Sequence, residues 1–398
     1  MTRKIKILFV CIPDWSTNQR WMEMFVDVAE FSIRAFSSNE GTLYPPQVWV
    51  AKTYSMFKPL IKQEKGKAVS LGIPRNRVSF YLLHTLDERF HVRARLLYLV
   101  MRFWKPDIVH TLGMRPQAWI TWQALQYFKK TRRPVWIVTS SSDDIFWERF
   151  RKGALENIQR TLVGCDGYIS DNQRDVKIAV SLGLNPKKVA FDKNVSTRGG
   201  MPREVVLRCK RTKLVQKPAI LVPKGYEGVY HKPHVIMEAL RLVHEARPDV
   251  EVKFLAASEH LKIWSSFLPK DFLRRVEFMD FLQQDVYLRL LSQARIMLAP
   301  SLTDGSPQCM LEAMSVGVFS ILSPHESIKE WITDGVNGFL VNPLNPNEMA
   351  EKTLIALKDE ALLEKARDIN FDIILNGYCT EDIREEAIAY YKRMAGKI

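Results

Sequence analysis

Two carboxylates with seven residues between them, Asp304 and Glu312, enclose the stretch of this chain richest in usable chemistry. Between them stand Gly305, Ser306, Pro307, Gln308, Cys309, Met310 and Leu311. The apolar residues 296–299 read as a short strand and residues 310–316 as a helix. Asp304 then lies in the connecting loop and Glu312 about one turn into the helix. Gly, Ser and Pro in that loop are helix-start residues. The amides of Ser306, Gln308 and Cys309 would find no partner inside the helix, and the dipole at that end favours an anion. Open amides between two acceptor carboxylates suit a ligand that is part phosphate and part polyol, as a sugar nucleotide is. The plainer alternative is a capped helix after a strand, which any α/β protein contains.

A second cluster lies upstream. Residues 223–233 form a Gly-containing turn with Lys224 near its start and Lys232 at its end, just before a helical pattern. Binding a diphosphate needs cationic point charges and a close approach of the backbone, and this loop offers both. Two solvated surface lysines are the alternative.

The continuation of the first cluster decides between these readings. Residues 315–323 read as helix end, turn at Gly317 and buried strand; residues 330–343 read as helix, a turn holding Gly335 and Gly338, and another strand. From Pro300 to Pro343 the chain closely resembles the donor-binding segment of glycosyltransferase family 4, retaining enzymes of the GT-B fold. The resemblance implies an α/β protein of two Rossmann-like domains whose parallel sheets face each other across a cleft. It implies metal-independent transfer of a hexose or related sugar from a nucleotide diphosphate, with no cofactor. Asp304 would accept hydrogen bonds from the donor sugar and Glu312 from the ribose. Gly305, Ser306, Pro307, Gln308 and Cys309 would line the sugar and phosphate, and Met279 to Phe281 would meet the base, mostly through backbone. Lys224 stands where the family usually has Arg, Lys232 where it has Lys at a shorter spacing, and Asp304 where it has Glu.

In the first half, residues 105–113 resemble the family's strand ending in His-x-His, with His110 in the first place and Leu112 in the second. His110 is thus either an acceptor-side residue or a satisfied core histidine. Asp143 and Asp144 follow the next strand, where either would hold the acceptor hydroxyl or cap a helix. They are adjacent rather than alternating, so they do not read as a metal clamp. Trp15 would stack on an acceptor sugar and Arg20 would meet a phosphate; Trp21 reads as core.

These residues need a frame to hold them. A chain of 398 residues is long for one core and suggests two domains. The divisions expected are residues 1–200, residues 201–375, and a final segment 376–398 whose helix, by the resemblance, crosses back to the first domain. Strands are expected at 5–12, 47–51, 108–111, 135–139, 167–169 and 189–191, then at 219–222, 250–256, 276–279, 296–299, 318–322 and 339–341. Helices are expected at 19–35, 90–104, 117–130, 146–162 and 175–182, then at 234–245, 285–293, 310–316, 327–333, 347–357 and 380–394. Strands alternating with helices argue for parallel sheets.

Composition narrows the class. With 46% hydrophobic and 26% charged residues the chain reads as globular. No apolar run approaches the roughly 20 residues needed to span a bilayer, and 5–12 reads as a buried strand rather than a leader. Five scattered cysteines without C-x-x-C spacing argue against a disulfide framework or zinc site and for a reducing cytoplasm. Residues 1–200 hold 32 Lys and Arg against 17 Asp and Glu, whereas residues 201–398 hold 26 against 27. The whole net charge of +14 therefore sits in the first half, which suits an anionic partner: a lipid-linked acceptor, an anionic glycan or the inner face of a membrane. Residues 58–77 and the basic, aromatic stretch 90–104 are the segments to make that contact, unless the latter simply packs on the sheet. Nucleic acid is not expected, because no recognition motif accompanies the charge. A nucleotide-sugar epimerase and a catalytically weak sugar-nucleotide or glycan-binding protein are the alternatives to a transferase.

Overall fold

In the first unit the apolar runs become strands of one parallel sheet. They are β1 (Ile5–Cys11), β2 (Phe31–Ser37), β3 (Lys52–Phe57), β4 (Ser70–Ile73), β5 (Ile108–Leu112), β6 (Val135–Ser140) and β7 (Gly167–Ser170). Their spatial order is β4-β3-β2-β1-β5-β6-β7, parallel at every pairing. β1, β5, β6 and β7 are apolar or small at nearly every position, as strands covered on both faces must be. The computed structural model describes residues 3–13, 16–39, 52–57, 70–73, 85–87, 90–129, 133–141, 144–195, 197 and 199–396. The chain divides into two compact units, residues 1–199 with 382–398, and residues 200–381.

One face of the first sheet is covered by the helices His91–Trp104, Trp119–Leu125 and Ala154–Gly164, which bury Leu97, Met101, Ile120, Ile158 and Leu162 against Val10, Val109 and Val138. On the other face lie the helices Ser16–Glu23 and Thr380–Ala395, with Trp21, Phe25, Tyr390 and Tyr391 packed on Ile7, Phe9, Ile108 and Ile137. Tyr391 Oη accepts from Trp21 Nε1 at 2.9 Å and lies 2.6 Å from His110 Nδ1, while His110 Nε2 lies 2.7 Å from Thr139 Oγ1. A neutral imidazole accepting at Nδ1 and donating from Nε2 satisfies this network. Burial agrees, holding the His110 pKa down at about 3.

Several local readings yield to tertiary pairing. The expected helix 19–35 stops at Glu23, and Phe31–Ser37 is the strand β2, because its backbone is drawn into ladder bonds with β1. The expected helix 146–162 begins only at Ala154, since Gly153 at φ 75° breaks the chain direction after a short turn at Glu148–Phe150. Residues 189–191 make only a bridge from Val189 to Tyr168. The expected strand 47–51 lies outside the described residues. β4 and the helices Arg203–Lys210, Glu259–Ser265, Lys270–Leu273 and Glu360–Leu375 were not legible from local pattern.

The second unit holds β8 (Ala219–Val222), β9 (Glu251–Phe254), β10 (Val276–Phe278), β11 (Ile296–Leu298), β12 (Phe319–Leu322) and β13 (Phe339–Leu340). Their order is β10-β9-β8-β11-β12-β13, again parallel throughout. From β8 the chain builds outward to β9 and β10, then returns and builds the other way from β11. The switch point therefore falls between β8 and β11, and ligands of open α/β sheets collect at the carboxyl ends of such a pair.

Tyr391→Phe should expose the value of the first unit's network. It strips a partner from both Trp21 Nε1 and His110 Nδ1, so a loss of about 1–3 kcal/mol is expected. Urea unfolding should show a lower midpoint at an unchanged slope.

Candidate active site

Residues 223–232, which leave β8, and residues 299–307, which leave β11, meet at the switch point. Leu302 N donates to Tyr230 O at 2.9 Å, tying the two loops together. Lys224 Nζ lies 2.5 Å from Asp304 Oδ2, with both side chains largely buried. Asp304 Oδ1 also accepts from Gly305 N at 3.0 Å. Burial opposes the charge on Lys224, but the Asp304 carboxylate outweighs it and holds the ammonium above its ordinary range. His231 stands in the same field: burial first, and then the Lys224 charge, lower its pKa to about 4, so it is neutral at pH 7.

Gln308 opens the helix Gln308–Val316, whose N-terminus follows Pro307 and carries no side-chain cap. Glu312 is 4% exposed on this helix. Its Oε1 accepts from Gln284 Nε2 at 2.7 Å and from Gln308 Nε2 at 3.2 Å. The loop is braced from behind, since Ser327 Oγ donates to Asp304 O at 2.8 Å and Trp331 Nε1 donates to Ser306 Oγ at 3.0 Å. Asp304, Gly305, Ser306, Pro307, Gln308, Cys309 and Glu312 thus occupy one continuous loop and helix start, with Lys224 against it.

The remaining expected donor residues are placed differently. Lys232 Nζ donates to Gly228 O at 3.3 Å, within its own loop. Met279 spends its amide on Phe254 O and its carbonyl on Ala257 N, so β9 and its loop already occupy that backbone. Phe281 presents its ring, 82% exposed. Gln284 and His231 were missed by sequence reasoning. Neither belongs to a spaced motif, although Gln284 opens the helix after β10, a place where strand-end ligands are met.

In the first unit His110 is fully buried with both ring nitrogens engaged. That corrects the acceptor-side expectation: its place is that of a core histidine. Asp144 Oδ2 accepts from Ser141 N at 3.1 Å and from Met114 N at 3.3 Å, bridging the ends of β6 and β5. Burial raises its pKa to about 7, against the pull of those amides and helped by Asp175 and Glu148. Arg20 is half-buried in the last turn of the helix Ser16–Glu23. Trp15 and Asp143 lie outside the described residues, as does most of 58–77. Among the described residues no three His, Cys, Asp or Glu side chains gather in a metal-holding group, and no helix is long and apolar enough to cross a membrane.

Residues 220–359, most of the second unit, match the family described as Glycosyl transferases group 1. Solved structures share the fold over the whole chain. Sucrose-phosphate synthase from Thermosynechococcus elongatus superposes with a TM-score of 0.70 at 14% identity, over 99% of this chain and 100% of that one. HepE from Anabaena, solved with UDP and glucose, gives 0.68 at 13% identity over 97% and 98%. A putative UDP-N-acetylglucosamine 2-epimerase from Listeria monocytogenes gives 0.64 at 14% over 99% and 98%. No curated protein matches the sequence. The chain has the GT-B fold, and its second unit carries a group 1 glycosyl transferase domain. The enzyme class that this domain carries is glycosyltransferase.

Two outcomes follow from this geometry. A Cβ on Gly225 would stand 2.7 Å from Leu255 O, so Gly225→Ala must push the β8 loop off the β9 loop. Lowered thermal stability together with weakened nucleotide binding is expected, read by melting with and without nucleotide. The second concerns Asp144, whose folded pKa lies above its ordinary value. It favours folding below about pH 4, and that contribution is lost as pH rises toward 7. Asp144→Asn should therefore gain stability relative to the unchanged protein between pH 4 and 8. Parallel pH profiles of the urea midpoint for the two proteins would contradict this.

Proposed function

We propose that this glycosyltransferase moves a hexose or related sugar, with retention and without a metal, from a nucleoside diphosphate to a lipid-linked or anionic glycan acceptor. The observation that carries the reading is the Lys224–Asp304 pair at the β8–β11 switch point, beside an uncapped helix start and the buried Glu312. An ammonium has three donor hydrogens. One on Asp304 leaves the others for the oxygens of a diphosphate.

As the bond from the anomeric carbon to the phosphate oxygen breaks, negative charge grows on the departing diphosphate. Lys224 and the helix-start amides would stabilise that charge, the largest catalytic contribution in such a site. The acceptor hydroxyl would attack on the same face and pass its proton to the departing phosphate. Asp304 would hold a sugar hydroxyl and Glu312 the ribose, with the Phe281 ring open to stack on the base. UDP-glucose, bound by Anabaena HepE, is the first donor to try.

Two features support an anionic or membrane-borne acceptor. The excess positive charge lies in the first 200 residues. The basic helix His91–Trp104 also exposes Phe103 by 81% and Leu99 by 45%, as a segment touching a lipid surface would. Five cysteines that form no disulfide among the described residues are consistent with the cytoplasmic side of that membrane.

Release of nucleoside diphosphate from UDP-glucose and other nucleotide sugars, with and without glycan acceptors, tests the reading. Lys224→Met should lower kcat about 10²-fold. Glu312→Gln should act mainly on the donor KM, raising it about tenfold. Wild-type rates in both variants would remove the assigned site, and an isomerised free sugar formed without acceptor would make the protein an epimerase.

A further inference from the structure

The segments that leave β5, β6 and β7 in the first unit meet around a loop of arginines and aromatic rings. The loop leaves β6 and runs through Phe146, Trp147, Glu148, Arg149 and Phe150. Phe150 is 68% exposed and Trp147 43%. The Arg149 guanidinium stands over two rings, 5.4 Å from the centre of Phe146 and 4.6 Å from that of Phe150. Neighbouring segments pin the loop from both sides. Arg115, which follows β5, lies 3.5 Å from Glu148 Oε2. Arg174, in the helix after β7, stands 4.1 Å from the centre of the Phe146 ring. Arg151 reaches Glu148 Oε1 at 3.4 Å, so Arg115 and Arg151 take up that carboxylate. Among the described residues Arg149 has ring partners and no carboxylate.

A guanidinium stacked on rings is held by its flat face, and the N–H donors along its edge stay available. That edge matches a planar carboxylate, with two parallel N–H groups meeting two oxygens. The faces of the neighbouring rings are electron-rich and suit the slightly positive C–H groups of a sugar ring. We propose that residues 146–152 dock an acidic oligosaccharide acceptor, with Arg149 on a sugar carboxylate and the Phe150 ring against a sugar face. The inference deepens the acceptor reading above and rests on it. The exposed Lys152 adds a longer-range pull on the same charge. Because Arg115 and Arg174 fix the loop, its cation and rings keep their spacing without a ligand, which lowers the cost of ordering on binding. Position also separates this loop from the helix His91–Trp104. That helix packs along a face of the sheet, whereas the loop stands at the carboxyl ends of the strands, where ligands of open α/β sheets collect.

The test is calorimetric binding of a galacturonic acid tetrasaccharide, its methyl ester and UDP to the full chain. The unchanged protein should bind the acid about tenfold or more tighter than the ester, and less tightly as salt rises. Arg149→Ala should lose about tenfold or more of the affinity for the acid, and Arg149→Lys less, because the charge stays while the fork goes. Phe150→Ala should lose about three- to tenfold for acid and ester alike. Melting curves confirm that the variants fold. Binding of UDP without the acid would overturn the inference and leave the donor site standing. Equal binding of acid and ester, or affinity for the acid unchanged in the variants, would do the same. Capture by phosphatidylglycerol vesicles in place of the tetrasaccharide, weakened in Phe150→Ala, would make the loop a membrane contact and also overturn it. Binding of neither UDP nor the tetrasaccharide would bring down the donor reading and this inference together.

Discussion

Lys224 reaches Asp304 only because β8 and β11 lie side by side in the second sheet, although the two residues are 80 apart in the chain. Neither charge is at ease alone in that position. A buried ammonium without a carboxylate, or the reverse, would be strongly unfavourable. Together they are tolerated, and Asp304 divides its two oxygens between the ammonium and the Gly305 amide. The pair fixes a cation at the mouth of an uncapped helix, in the field that a diphosphate requires.

Loop-to-loop backbone bonds add to the bracing that the Ser327 and Trp331 side chains supply. Gly225 N donates to Leu255 O and Ser258 N to Gly225 O, joining the loops after β8 and β9. Ala257 N donates to Met279 O, which extends the chain of bonds to the loop after β10. Leu302 N on Tyr230 O closes it on the β11 side. Four strand-end loops thus support one another, so the polar groups above them keep their spacing before any ligand arrives. Gln284 adds a side-chain tie across the same rim.

The first unit shows two ways of burying polar groups. His110 is closed off, with Tyr391 and Thr139 on its two nitrogens and aromatic rings around it; it stiffens the seat of the last helix. Asp144 takes two backbone amides on a single oxygen and is pushed toward neutrality by burial and by neighbouring carboxyls. A group poised in that way sits at the carboxyl ends of β5 and β6, where ligands of open α/β sheets collect.

Much of this was readable from the chain itself. Continuous apolar runs such as residues 5–11 and 135–140 announce strands covered on both faces, and their alternation with helical stretches announces parallel sheets. Asp304, Glu312 and the residues between them form a local unit, a loop and the helix it starts, so their spacing alone placed them. Phe31–Ser37 was misread as helix because its periodicity is ambiguous and the pairing with β1 settled it. His110 looked usable until Tyr391, 281 residues away, took its nitrogen. Gln284, His231 and the partner of Lys224 were out of reach for the same reason. Sequence patterning is set by the residues within an element, which determine what each segment is. Which segments become neighbours depends on strand order and on what the final helix covers, and only the folded chain brings those distant groups within bonding distance.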